Sequence, residues 1–294
     1  MTKDEKKGIA LALIGGTGWG LSGTCGQFLF SYSSVAPQTV TIYRLIFSGL
    51  LLIAMNLVRR PKGMLDIFKD WRTTLHLIIY GIFGVGLCQL SYLSAIRYSN
   101  SGTATVLQSA GIVLVFIVVS IMQRKAPKPI EYICLLLVIG GVFILATHGD
   151  PSHLQLSKEG LFWGCAAAVA VALYTLLQGN LMKKFGTSLV LGYAMLIGGI
   201  VLFIISGGAR ILTDTRPITL LAIAFIVVVG TAIGFGLYLS GVALCGAKKA
   251  SMLSSIEPVV ATLTSFLFLH TVFMPMDLAG FAAVLTGCIL LSAR

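Results

Sequence analysis

Ten apolar runs, each about twenty residues long and parted by glycine, proline or charge, leave this chain few ways to fold. They lie near Gly8 to Phe30, Gln38 to Val58, Thr74 to Ile96, Gly102 to Met122, Ile130 to Thr147, Glu159 to Asn180, Thr187 to Ser206, Pro217 to Leu244, Ala250 to His270 and Met276 to Ala293. Each is long enough to cross a bilayer as a helix, the only open-chain structure that satisfies its own backbone in lipid. Composition agrees. Of 294 residues 57% are hydrophobic and 11% charged, where a soluble domain carries roughly 25% charge. The mean hydropathy of +0.96 leaves too little polar surface to face water. The expected fold class is an all-α integral membrane protein with ten transmembrane helices. The first run follows Lys3, Lys6 and Lys7 as a signal peptide's would, but it outlasts an h-region and lacks a clear A-x-A site, so it is expected to be retained.

The 21 Lys and Arg against 10 Asp and Glu give a net charge of +11, which in a soluble chain would point to nucleic acid. Here the basic residues sit between the apolar runs, and no helix carries a basic stripe interleaved with aromatics, so the expected partner is the anionic bilayer surface and not nucleic acid. Counted over alternate connectors, 16 Lys and Arg fall on the side of the amino terminus and four on the other, with Arg44 inside a run. Both termini are therefore expected in the cytoplasm, with the connector from Arg59 to Arg72 the heaviest contributor. The expected location is the plasma or inner membrane.

Residues 74–148 align without a gap on residues 220–294 at a constant shift of 146. Tyr92, Leu93 and Ser94 fall on Tyr238, Leu239 and Ser240; Gly84 falls on Gly230, Ala104 on Ala250, Leu107 on Leu253, Ser109 on Ser255 and Gly141 on Gly287. Glu131 falls on Asp277, each at a helix start, where a carboxylate meets the positive end of the dipole. The chain thus divides into residues 1–148 and 149–294, five runs apiece. Five is odd, so the second copy enters the membrane from the opposite side. Such inverted repeats allow a site at their interface to open to either face by exchange of conformation.

Several features join the duplication: Gly15, Gly16, Trp19 and Gly20 in the first run, Arg44 in the second, Glu257-Pro258 in the ninth, and Gly280 with Gly287 in the tenth. With these marks the whole chain resembles the drug/metabolite transporter superfamily, in particular the EamA-like exporters with two five-helix repeats. The resemblance implies export of amino acids, other small metabolites or toxic organic compounds; relatives move nucleotide sugars or sugar phosphates. Two departures stand out. A glutamate common in that family between the fourth and fifth helices of each repeat is replaced by Ala126 and Val272, and Gly111 stands where Glu257 stands in the second repeat.

Glu257 is the one carboxylate well inside an apolar run, where an ionised acid costs roughly 2.5 to 3.5 kcal/mol on insertion scales. It would lie ~13 Å from the cytoplasmic boundary, and Arg44 ~9 Å below the outer one. The two can form an ion pair or share a zwitterion's charges. Alternatively Arg44 snorkels to the headgroups and Glu257 is a neutral, hydrogen-bonded acid. Glu257 is also the candidate for a coupling proton. Gly16, Gly20, Thr24 and Gln27 recur at helical spacing beside the stripe Gly18, Ser22, Gly26, and for the glycines close helix packing is the commoner use. Trp19 and Gln27 are the better cavity candidates, because a mid-span indole N–H and amide need partners that lipid cannot supply. Gln89 and Gln108, with Thr105 and Ser109, and Tyr174 with Gln178, give further polar faces that either line a cavity or bond across helices. Tyr92 and Tyr238 suit interfacial anchoring or a cavity equally. The candidate substrate-binding set is Trp19, Gln27, Arg44, Gln89, Gln108, Tyr174, Gln178, Tyr238 and Glu257.

No H-E-x-x-H helix, Walker loop, G-x-S-x-G elbow or aspartate-rich diphosphate motif occurs, and the four histidines lie at run ends or in connectors. The six cysteines lie in or at the ends of apolar runs without a C-x-x-C pair and read as packing residues. The expectation is a secondary transporter, not an enzyme, with no cofactor or metal, exporting a small amphipathic metabolite, amino acids first, as a monomer or homodimer. The alternatives are a transporter of other solutes such as drugs or nucleotide sugars, and after it a membrane enzyme or a channel.

Overall fold

The computed structural model describes residues 2–59, 63–124, 128–207, 212 and 214–292. Ala126, one of the two positions where the family glutamate is replaced, lies outside them; Val272 is exposed in the connector after the ninth span. Ten helical spans follow one another: α1 (Lys3–Tyr32), α2 (Pro37–Arg59), α3 (Trp71–Tyr98), α4 (Ser101–Gln123), α5 (Pro129–Thr147), α6 (Lys158–Leu177), α7 (Thr187–Ile205), α8 (Pro217–Cys245), α9 (Ala247–Leu253, then Ile256–Leu269) and α10 (Pro275–Ser292). No strand occurs among the described residues. Eight spans are long and apolar enough to cross a bilayer by composition alone. The other two are α1, whose glycines and hydroxyls dilute its hydropathy, and α9, which is divided at Ser254 and Ser255. The second part of α9 is apolar but short, and it exposes Val259, Leu263, Phe266 and Phe268.

The helices pair about a pseudo-twofold relation. α1 packs on α8 as α6 packs on α3, α1 on α9 as α6 on α4, and the self-matched pairs α2 with α7 and α5 with α10 complete the bundle. Irregularities obey the same relation. α3 widens into a π-helical turn at Tyr80–Gly86 and α8 at Val228–Ile233, positions about 146 apart. α4 breaks at Ala110 and α9 at Ser254–Ser255. Arg124 and His270, 146 apart, end their helices in the left-handed region at φ 53° and 51°. Matching defects at matching positions identify two inverted five-helix repeats.

Glycine sets how closely α1 lies. A Cβ on Gly15 would stand 2.8 Å from the Gly234 carbonyl oxygen, and one on Gly20 would stand 2.7 Å from that of Glu257. The small stripe is therefore a packing surface, and it draws α8 and α9 against the helix that carries Trp19. We call the end where α1 begins proximal and the end where it finishes distal.

Candidate functional site

Between the repeats lies a cavity of about 340 Å³. Seven of the nine expected residues line it: Trp19, Arg44, Gln89, Gln108, Tyr174, Tyr238 and Glu257. Two do not. Gln27 is held at the distal end, its Oε1 accepting from Ser101 and its Nε2 donating to Thr271 Oγ1 at 2.8 Å. Gln178 falls just past the last turn of α6, at the proximal end and outside the lining. Phe235, Thr175 and Cys88 also line the cavity and were not singled out from sequence. Each neighbours a chosen residue: Phe235 lies one turn before Tyr238, and the other two adjoin Tyr174 and Gln89.

Arg44 neither snorkels nor forms an ion pair. It is 5% exposed, and among the described residues its salt-bridge partners are none. Its Nε donates to Thr231 Oγ1 at 3.2 Å and its Nη2 to the Gly230 carbonyl at 3.3 Å. Both acceptors belong to the π-helical turn of α8, where the interrupted i→i−4 ladder makes a backbone carbonyl available. Its Nη1 has no partner. An unused donor on a buried guanidinium is costly unless a ligand or water fills it.

Glu257 occupies the first turn of the second part of α9, where the amino-terminal end of the helix dipole favours negative charge. Pro258, also in this first turn, costs no helical hydrogen bond there. The carboxylate faces the cavity, with no hydrogen bond or ion pair from the described residues. Trp19 on α1 lines the same cavity, its ring centroid 5.0 Å from that of Phe235 and 4.9 Å from that of Tyr238. Its buried Nε1–H has no acceptor. Gly234 leaves room for that indole, since a Cβ there would meet Nε1 at 2.9 Å.

Tyr92 and Tyr238 are not interfacial anchors. Tyr92 is buried and its hydroxyl lies 3.0 Å from Thr105 Oγ1, while Tyr238 forms cavity wall and bonds Ser254. Gln108 reaches Cys88 Sγ at 3.6 Å. The six cysteines are free thiols.

The EamA-like transporter family matches residues 6–147 and again residues 158–293. The chain belongs to the EamA-like transporter family. It is 36% identical to the inner membrane transporter YicL of Salmonella typhimurium over 98% of this chain and 95% of that one. It is 25% identical to the threonine/homoserine exporter RhtA of Escherichia coli K12, over 86% of this chain and 81% of that one. A crystal structure 17% identical in sequence superposes with a TM-score of 0.63 over 100% of this chain and 99% of the other, which shows a shared fold. As an EamA-like transporter, the chain is an integral membrane protein.

Proposed function

We propose that this transporter is a secondary exporter of a small zwitterionic metabolite, amino acids first, working by alternating access between its two repeats. One observation carries the reading: Glu257, without an ion pair among the described residues, lines one cavity together with Arg44 and Trp19, whose buried Nη1 and Nε1 have no hydrogen-bond partner. Left empty, such groups are expensive in a low-dielectric interior. A zwitterion answers them, its carboxylate on Arg44 Nη1 and its ammonium on Glu257, with the apolar remainder against Trp19, Phe235 and Tyr238. A multiply charged phosphate would call for several cations, and Arg44 is the one cation lining the cavity among the described residues. The name of RhtA makes threonine and homoserine the first compounds to try. With no nucleotide-binding motif, gradients of substrate or of protons supply the energy, and Glu257 is the group placed to carry the proton.

The test is uptake of radiolabelled amino acids, threonine and homoserine included, by proteoliposomes of the purified chain. Saturable, counterflow-stimulated uptake is expected. Glu257→Gln and Arg44→Gln should each lower it by about tenfold or more, since one charge-assisted contact is worth roughly 1.5 to 3 kcal/mol. Uptake that survives both changes overturns the site, and a chemically altered product would move the chain to the enzymes. Indifference to an imposed pH gradient removes the proton.

A further inference from the structure

At the distal end α1, α4 and α9 are tied together by hydroxyls and one amide. Thr24 Oγ1 and Thr264 Oγ1 lie 2.6 Å apart, and Thr24 also approaches Ser101 Oγ at 3.4 Å. Gln27 spans the two repeats. Its Oε1 accepts the Ser101 N–H at 2.8 Å and the Ser101 hydroxyl at 2.9 Å, and its Nε2 donates to Thr271. Ser101 is completely buried. The Thr262 backbone lies close by, for a Cβ on Gly102 would stand 3.1 Å from Thr262 Cα.

The proximal end is built differently. Under the shift of 146, Ser101 corresponds to Ala247 and Thr264 to Val118, neither of which carries a side-chain donor. Ser101–Ser109, the first part of α4, packs against the second part of α9. The pseudo-equivalent meeting, Ala247–Leu253 against Gly111–Gln123, has no comparable packing among the described residues. The cavity itself lies near mid-depth, with Tyr174, Tyr238 and Ser254 in the proximal halves of their helices and Arg44, Tyr92 and Gln108 in the distal halves of theirs. The proximal end keeps other ties, Asn56 to Ser188 and His76 to the Leu177 carbonyl among them, so the asymmetry lies in the α4–α9 meeting, which is closed distally and lacks its pseudo-equivalent proximally.

We propose that Gln27, with Thr24, Ser101, Thr264 and Thr271, forms the distal gate of transport, and that the resting chain holds it shut with the cavity reached from the proximal side. The proposal rests on the alternating-access reading above. Exchange of conformation between the repeats brings Ala247–Leu253 against Gly111–Gln123 and pulls the five side chains apart. Hydroxyls and an amide suit this task, because water entering the opened gate replaces each lost bond. Ala247 and Val118 offer no matching bonds, so the latch biases the equilibrium toward the proximally open state.

The experiment uses the full chain in oriented membrane vesicles. Thr24→Cys with Thr264→Cys places two thiols where the hydroxyl oxygens lie 2.6 Å apart. Ile112→Cys, on the cavity wall, reports access of a membrane-impermeant maleimide from either face, read by mass spectrometry of the labelled peptide. The disulfide should form on oxidation and cut distal labelling by about fivefold or more, reversibly on reduction, with proximal labelling unchanged. Gln27→Leu, without any disulfide, should raise distal labelling by about threefold or more by freeing the latch. Failure of the disulfide to form, distal labelling that ignores it, or a Gln27→Leu chain labelled like the parent overturns the gate. Threonine uptake measured in parallel separates the two claims. Correct labelling without uptake of any amino acid sinks the substrate reading alone, and uptake that continues through the disulfide sinks the gate alone.

Discussion

Gly111 and Glu257 occupy the same place in the two repeats, and the structure explains why they differ. A Cβ on Gly111 would stand 2.4 Å from the carbonyl oxygen of Ala168 on α6, so no side chain fits there. In the second repeat the corresponding approach is made by Gly20 on α1 instead, which frees position 257 to carry an acid. Two substitutions test the contrast. Gly111→Ala should lower the thermal unfolding midpoint of the detergent-purified chain, overpacking costing about 1 to 3 kcal/mol. Gly140→Ala, in a helix and with nothing within 4 Å of its added carbon, should leave the midpoint unchanged or raise it, since helical alanine gains about 0.5 to 1 kcal/mol over glycine. A destabilised Gly140→Ala beside an unaffected Gly111→Ala would contradict this packing. The chemical types of Glu257, Arg44 and Trp19 announced themselves in sequence because each is expensive in lipid. Gln27 announced itself by the same rule, but its cost is met by Ser101 and Thr271, partners that lie 74 and 244 residues away and that no local pattern reveals.

At the scale of elements, the connector between α7 and α8 is pinned to the end of α1. Arg216 grips Asp214 with two nitrogens at 2.9 and 2.7 Å, Thr219 donates to the same carboxylate at 2.9 Å, and the guanidinium lies 4.4 Å from the Tyr32 ring centroid. Hydrogen bonds from Arg216 hold the Asp214 carboxyl well below the usual carboxylate range. A lowered folded pKa means the contribution is complete above the ordinary value and fades as pH falls through the lower one. The difference in unfolding midpoint between the parent and Asp214→Asn should therefore be flat from about pH 5 to 9 and shrink only below about pH 4. A difference that changes near neutrality would assign the clamp to another group. The helices themselves were legible from their apolar runs to within a few residues at most ends. Their internal irregularities were not. A π-helical turn accommodates one extra residue and so turns everything after it by about 100°, a change of phase that hydrophobic periodicity cannot register in an evenly apolar segment. That rotation is what offers the Gly230 carbonyl to Arg44 in α8, and the matching turn in α3 precedes Cys88, Gln89 and Tyr92 on the cavity wall.

For the whole molecule, ten spans place both termini on one side, and from the excess of Lys and Arg in the connectors on that side we propose that it is the cytoplasmic one. A carboxy-terminal green fluorescent protein fusion should therefore fluoresce and an alkaline phosphatase fusion at the same point should stay inactive; an active phosphatase would reverse the orientation. Membrane residence, the number of spans, the inverted duplication and the identity of the costly residues at depth all follow from the sequence, because lipid imposes length and composition on every segment independently of its neighbours. Which polar faces meet, that Arg44 turns inward to α8 while Glu257 stays unpaired, and which end of the bundle is latched belong to the tertiary structure alone. They depend on helix rotation and approach, and these are set by side-chain fit between segments that are remote in the chain.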